Sequence, residues 1–407
     1  MQALRFTGSV ILTAGTFLLA SKISAQQQNP WTVGGTPNED VRSVTFVGSR
    51  GLISVQHGVL VYDFSDPSSP QMVTRLDLPE RWPGQLHGQF EIVVRGDHAF
   101  VPSFDLGFYV VSIADIDSPI VVGATNRPGS GRCVALYGDY AYVAGTPYVP
   151  GYVVDISVVQ DPHVVDSFTF LDGGLFEAQV LGSLMYAASG HVYVVDLTIP
   201  LKPAVMDTFP FVGSCLDFDV QGARVHVIDN FYRSALRGMG SYDISNPASP
   251  EFLGKLMNGG DDVAITARND RAWVLNSPAG LYAVNISDPT QPTMITCYAT
   301  GTAAPCLYPI TAISAAFDVI LHDQYAFVSA GWSGLLAYTL QARSDVNADG
   351  VPNSTDIIVL VNHVFKSGAP PASPTQADTN CSEDLTAADV IILVNYVFKG
   401  SDVPLCP

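Results

Sequence analysis

From residue 31 to about residue 341 the chain is a succession of short apolar runs separated by Gly, Pro, Asn and Asp. One phrase recurs: an apolar run ending in Asp or Asn, followed by a turn of Ser, Asp and Pro. It reads Val59-Leu60-Val61-Tyr62-Asp63-Phe64-Ser65-Asp66-Pro67, and returns at Tyr152–Ser157, Val192–Thr198, Tyr242–Pro247 and Ala283–Pro289, with a degraded copy at Tyr109–Ile113. β-branched and aromatic residues in short alternating runs between turn residues predict strands, and no helical period competes with them here.

A second run is the best anchor for counting: Ala99-Phe100-Val101, Ala141-Tyr142-Val143, Met185-Tyr186-Ala187, Val225-His226-Val227, Ala272-Trp273-Val274 and Ala326-Phe327-Val328, with Leu52-Ile53-Ser54 in the first copy. A turn precedes each, at Gly48, Gly96, Gly138, Gly182, Gly222, Asn269 and Asp323, at intervals of 40 to 54 residues. That is the period of propeller blades. A fourth run follows each Pro turn, as in Ile120–Gly123 and Glu251–Gly254, so a unit has four strands and seven units predict a closed seven-bladed β-propeller over 31–341. The seventh unit stops after three strands. Trp31-Thr32-Val33-Gly34 has the pattern of a fourth, and we expect residues 31–34 to complete blade seven and close the ring, which removes open sheet edges.

The repeated Val-Val-Asp-Ile-Ser phrase with its Pro turns resembles the bacterial LVIVD-repeat family over roughly residues 31–341. The resemblance implies a repeat architecture and no particular reaction. Counting back five residues from each anchor turn gives Ser43, Glu91, Cys133, Glu177, Asp217, Ala264 and Asp318 on the innermost strands. Glu91, Glu177, Asp217 and Asp318 are therefore expected to converge near one mouth of the channel, a candidate site for Ca²⁺ or for a cationic or hydroxylated ligand. A single register slip would turn these side chains away.

Composition narrows the function. The chain has 407 residues, 47% apolar and 14% charged, with a formal net charge of -19. Such an acidic surface repels phosphate backbones, so nucleic acid is not an expected partner. Residues 1–25 read as a secretion signal, with Arg5, an apolar stretch from Phe6 to Ala20 and a small-residue exit ending at Ala25; residues 26–30 read as a linker. No later run is long enough to span a membrane. Export permits disulfides. Cys297 with Cys306, and Cys381 with Cys406, are the expected pairs, while Cys133 and Cys215 read as buried free thiols. No linear catalytic motif is present, and the eight histidines lack metal-ligand spacing.

The pattern changes after Arg343. Asp345, Asn347, Asp349, Gly350, Val351, Asn353 and Asp356 occupy positions 1, 3, 5, 6, 7, 9 and 12 of a twelve-residue calcium loop, followed by a helix ending at Lys366. Thirty-three residues on, Asp378, Asn380, Ser382, Asp384, Thr386 and Asp389 repeat the loop before a second helix ending at Lys399. The duplicated unit, residues 344–407, resembles a dockerin domain, which implies Ca²⁺ and a cohesin-like partner. In that resemblance Ser354 and Thr355, and Ala387 and Ala388, are the partner-binding positions. Glu383 stands where the loop's Gly is expected, and a non-Gly residue with positive φ costs about 1–2 kcal/mol, so the second loop is expected to bind Ca²⁺ more weakly.

These readings predict a secreted, non-catalytic binding or scaffold protein: a propeller platform and a Ca²⁺-dependent dockerin-like tail. A competing reading is an extracellular polysaccharide-degrading hydrolase or lyase, which requires Glu91 to face Glu177 or Asp217 across about 5–10 Å. A third makes the tail a clamp on its own propeller.

Overall fold

The structure is a computed structural model that describes residues 31–32, 40–67, 69–79, 91–103, 107–125, 131, 133–144, 150–169, 175–210, 212, 215–229, 238–257, 262–276, 280–298, 317–322, 325–339, 344, 346–347, 353–372, 377–380 and 384–399. The secretion signal and linker, Val33, Gly34, Cys306, Cys381 and Cys406 lie outside these residues, as does the side chain of Cys297.

Seven four-stranded antiparallel sheets form the blades of a propeller. Six are built from consecutive strands. In the seventh, Asp318–His322, Tyr325–Ser329 and Leu335–Thr339 are joined by Trp31–Thr32 from the other end of the ring, with Trp31 opposite Ala337 and Thr32 opposite Leu336. The anchor turns are tight and left-handed: φ is +55° to +63° at Gly48, Gly96, Gly138, Gly182 and Gly222, and +56° at Asn269. These are the residue types that tolerate that conformation.

The recurring phrase has a structural reason. Its Asp or Asn side chain accepts the backbone N–H two residues on: Ser65 to Asp63 at 2.8 Å, Ser157 to Asp155 at 2.8 Å, Thr198 to Asp196 at 2.7 Å, Ser245 to Asp243 at 2.7 Å and Ser287 to Asn285 at 2.9 Å. The Pro that follows sits second in a hydrogen-bonded turn, as in Asp66–Ser69 and Asn246–Ser249, where its fixed φ fits. The apolar residues before the Asp are buried on both faces: Val59, Leu60, Val61 and Tyr62 are each at most 3% exposed. Each blade thus packs against both neighbours, and the core is a circle of interblade clusters rather than one centre.

The fourth strands of blades two and five carry a Gly where the next blade crowds them. A Cβ on Gly123 would lie 2.2 Å from the Val159 carbonyl oxygen, and one on Gly254 would lie 2.3 Å from that of Thr290. Those carbonyls belong to the Pro turns of the following blades.

Among its described residues the tail has two helices, α1 (Ser354–Lys366) and α2 (Ala387–Lys399). They share a small core of Val346, Leu360, Ala377, Val390 and Leu393.

Candidate functional site

The innermost strands surround a cavity of about 420 Å³. Glu91 of blade two, Glu177 of blade four, Asp217 of blade five and Asp318 of blade seven all line it, together with Ser43 and Cys133. Ala264 does not. It packs between blades six and seven at 1% exposed, and Val263, Ile265 and Thr266 line the cavity in that blade. Asp262 is itself buried, held by Asn276 at 2.8 Å and by the Tyr282 hydroxyl at 3.0 Å. Asp219, two residues beyond Asp217 on the same face of blade five's inner strand, also lines the cavity, a residue the five-residue count missed.

Several lining groups join neighbouring blades. Asp217 accepts the backbone N–H of Ile265 at 2.8 Å, and Asp219 accepts that of Ala267 at 2.5 Å. Gln179 donates to the Phe218 carbonyl at 2.9 Å and accepts from Val220 N–H at 3.2 Å, so its amide imitates a strand. The Thr45 hydroxyl donates to the Ile92 carbonyl at 2.7 Å. Inner strands of adjacent blades cannot form a continuous ladder, and these side chains supply the missing hydrogen bonds.

Glu91 and Glu177, from the non-adjacent blades two and four, line the same cavity. Burial raises both, and Glu177 rises further because Glu91, Asp217 and Asp318 add their charge. Burial, then Asp318, raises Asp217; burial, then Glu91, pushes Asp318 up to about 7; burial pushes Asp219 up to about 6. The ring encloses Glu91 while channel water still wets it, which moderates these shifts without reversing them. The cation nearest the mouth, Arg42, is paired with buried Asp40 and lies over the Phe317 ring at 4.0 Å. Among the described residues no three His, Cys, Asp or Glu side chains are placed to share a metal ion.

In the tail, Asp356 is fully buried; it accepts Asn347 N–H at 2.9 Å on one oxygen and Asn353 N–H at 2.8 Å on the other. Asp389 repeats this with Asn380 at 2.9 Å and Thr386 at 2.8 Å. Asn353 caps α1 by accepting Thr355 N–H at 2.7 Å. The loops thus converge on two equivalent carboxylates, each with lone pairs to spare, and the oxygen-only donor set suits Ca²⁺. Asp378 and Asp384 are also described; Asp345, Asp349, Val351 and Ser382 lie outside the described residues. Ser354, Thr355, Ala387 and Ala388 are all exposed at the helix starts. A feature not read from sequence continues that surface: Ile358 and Phe365 on α1 are 58% and 61% exposed, and Ile391 and Phe398 on α2 are 60% and 67% exposed.

The fold and the loops define a repeat propeller joined to a calcium-loop module. The chain carries LVIVD repeats, matched at residues 43–77, 90–126, 128–169, 242–258 and 260–300, and a dockerin type I domain, matched at residues 343–398. No curated protein matches it. Among solved structures, the chain is similar to a functionally unknown protein from Desulfotomaculum acetoxidans (13% identity, TM-score 0.55, covering 72% of this chain and 93% of that one). It is also similar to the computationally designed Ika8 protein (9%, 0.53, 75% and 98%) and to the Neurospora crassa Pan2 WD40 domain (10%, 0.51, 74% and 88%). At these identities the likeness is one of fold. Dockerin type I domains bind Ca²⁺ and dock to cohesins, and are typical of extracellular proteins. No helix among the described residues is long and apolar enough to cross a membrane.

Proposed function

We propose that the protein is a secreted, non-catalytic scaffold that a Ca²⁺-loaded tail docks onto a cohesin partner, leaving the propeller as a binding platform. The observation that carries this reading is the paired surface of the tail. Ser354, Thr355, Ile358 and Phe365 share one face of α1 at helical spacing, and Ala387, Ala388, Ile391 and Phe398 repeat it on α2. Large apolar side chains left exposed in register on a small domain suit a protein partner. Two loops with equivalent buried carboxylates support two Ca²⁺ sites, the second included.

The propeller's acids offer little support to the polysaccharide-cleaving alternative, because both oxygens of Asp217 are engaged by backbone N–H groups, of Phe218 and of Ile265. The platform face is best assigned to the channel mouth, since the longest connections, residues 78–92 and 299–317, both run between an outer strand and the next inner strand, whose start lines the cavity.

The test is capture by an immobilised type I cohesin domain in Ca²⁺ and in EDTA, with Ile358→Asp/Phe365→Asp, Ile391→Asp/Phe398→Asp and the quadruple variant. Calcium-dependent capture, lost in the quadruple variant while helix content stays, is expected. Capture by the quadruple variant at wild-type strength would overturn the assignment.

A further inference from the structure

Two buried polar atoms of the channel cavity have nothing to bond. Arg42 Nε is a donor and Glu177 Oε1 is an acceptor once ionised; neither has a hydrogen-bond partner, and both residues line the same cavity. Buried polar atoms in a folded protein are almost always paired, and the exceptions point to something that completes them. The two stand on opposite sides of the axis. Arg42 lies at the junction of blades one and seven. Its backbone N–H donates to the Ser54 carbonyl of blade one at 3.0 Å, and its guanidinium lies over Phe317, just before the inner strand of blade seven, at 4.0 Å. Glu177 opens the inner strand of blade four (Glu177–Leu181), the blade that faces this junction in a ring of seven. We propose that the cavity binds a small hydroxylated primary amine, with its ammonium on Glu177 and an oxygen acceptor at its far end on Arg42.

The lining selects this chemistry. Glu91, Glu177, Asp217, Asp219 and Asp318 share the cavity with one cation, Arg42, whose charge is already met by Asp40. Such a cavity favours a positive guest. Asp217 is occupied, taking the N–H groups of Phe218 and Ile265 at 2.8 Å each, and Asp219 takes that of Ala267 at 2.5 Å. Glu177 Oε1 takes none. Burial, then the charge of Glu91, Asp217 and Asp318, holds the Glu177 carboxyl well above the usual range, and an ammonium against it offsets both.

A metal ion fits less well. No three His, Cys, Asp or Glu side chains among the described residues are placed to share one. A cavity of about 420 Å³ is the room of a small organic molecule. Phe176, Leu216, Val263 and Ile265 line part of it with carbon, which suits the C–H faces of a compact ring. Arg42 Nε needs an acceptor, which an alkyl amine lacks and a hydroxyl or ether oxygen supplies. An amino sugar or amino alcohol carries both ends.

This site rests on the platform half of the reading above and not on docking, which cohesin capture tests separately, so either can fail alone. The experiment is calorimetric titration of the full chain at neutral pH, in saturating Ca²⁺ so that the tail loops are filled. Glucosamine, glucose and putrescine are compared at about 10 mM, enough to reveal millimolar affinity. Glucosamine should bind. Glucose, without the ammonium, and putrescine, without the oxygen acceptor, should each bind at least about tenfold more weakly. Glu177→Gln should weaken glucosamine by a similar factor and leave glucose unchanged. Arg42→Lys, which keeps a charge beside Asp40, should weaken glucosamine and leave putrescine unchanged. Glucose or putrescine binding as tightly as glucosamine overturns the proposal, and so does glucosamine failing to bind, which leaves the channel to water. Should either variant fold poorly, hydrogen exchange on the wild type decides: glucosamine should protect peptides covering residues 42–47 and 177–181, and protection at neither overturns the site.

Discussion

The propeller and the tail solve the same problem, holding repeated units together, by opposite means. The propeller buries apolar strands on both faces of every blade and gathers its acids at the axis, where Arg42 is the one cation among the described lining residues. The tail has five fully or nearly buried apolar residues in its core and two buried carboxylates that tie its loops. A core that small does not hold a domain of about sixty residues without further support, and metal binding is then folding free energy. The propeller depends on fit; the tail depends on charge that a cation completes.

The largest expected separation of the two regions comes from removing the metal. Chelation should unfold residues 344–407 and spare the ring, seen as loss of helical circular dichroism and selective proteolysis after Arg343; a tail equally protected in EDTA would break the contrast. Asp356→Ala should give the same outcome with Ca²⁺ present. It strands two buried N–H groups, Asn347 and Asn353, at about 1–3 kcal/mol each, besides deleting a ligand.

Fit is tested next by Gly254→Ala. The new methyl meets the backbone of Thr290 at 2.3 Å and of Pro289 at 2.7 Å, neither of which can move without shifting blade six. A loss of about 1–3 kcal/mol in the propeller is expected, with no change in calcium binding. Denaturant midpoints for the two regions will show it.

Acid should move the two regions in opposite directions. Raised carboxylates in the channel bind protons more tightly when folded, so the propeller melts a few degrees higher at pH 5 than at pH 8. The tail needs ionised oxygen ligands, so its calcium affinity falls as pH drops toward the carboxylate range. Calorimetry with calcium titration at both pH values separates the trends. The smallest effect belongs to Arg50, which bridges Asp63 of its own blade at 2.9 Å and Asp117 of the next at 2.6 Å. The pair with Asp117 is open to water, so Arg50→Ala should change stability by about 1 kcal/mol or less, less than Gly254→Ala although both act between blades.

Repeats made the architecture readable from sequence. The Asp of Val-Val-Asp-Ile-Ser and the Gly of each anchor turn act locally, through an i to i+2 hydrogen bond and a left-handed backbone, so each copy announces itself. The seven blades and the origin of the closing strand followed from counting them. Glu91, Glu177, Asp217 and Asp318 could be placed at the axis for the same reason. Asp219 was missed because the count took one position per inner strand, while the face of Asp217 carries a second side chain two residues on; Ala264 stands at the counted register but packs between blades six and seven. The apolar faces at Ile358 and Ile391 were hidden by helical spacing that reads equally well as core.

The pairing of Trp31–Thr32 with Leu335–Thr339 sets an order of events during synthesis. The strand that seals the wheel is among the first made, and its partner among the last, so six blades must wait, unsealed, for the seventh to emerge. Contacts that distant in sequence form slowly. A circular permutant carrying residues 31–34 directly after Leu340 would turn that long-range seam into a hairpin and should refold faster than the natural order, at little change in final stability.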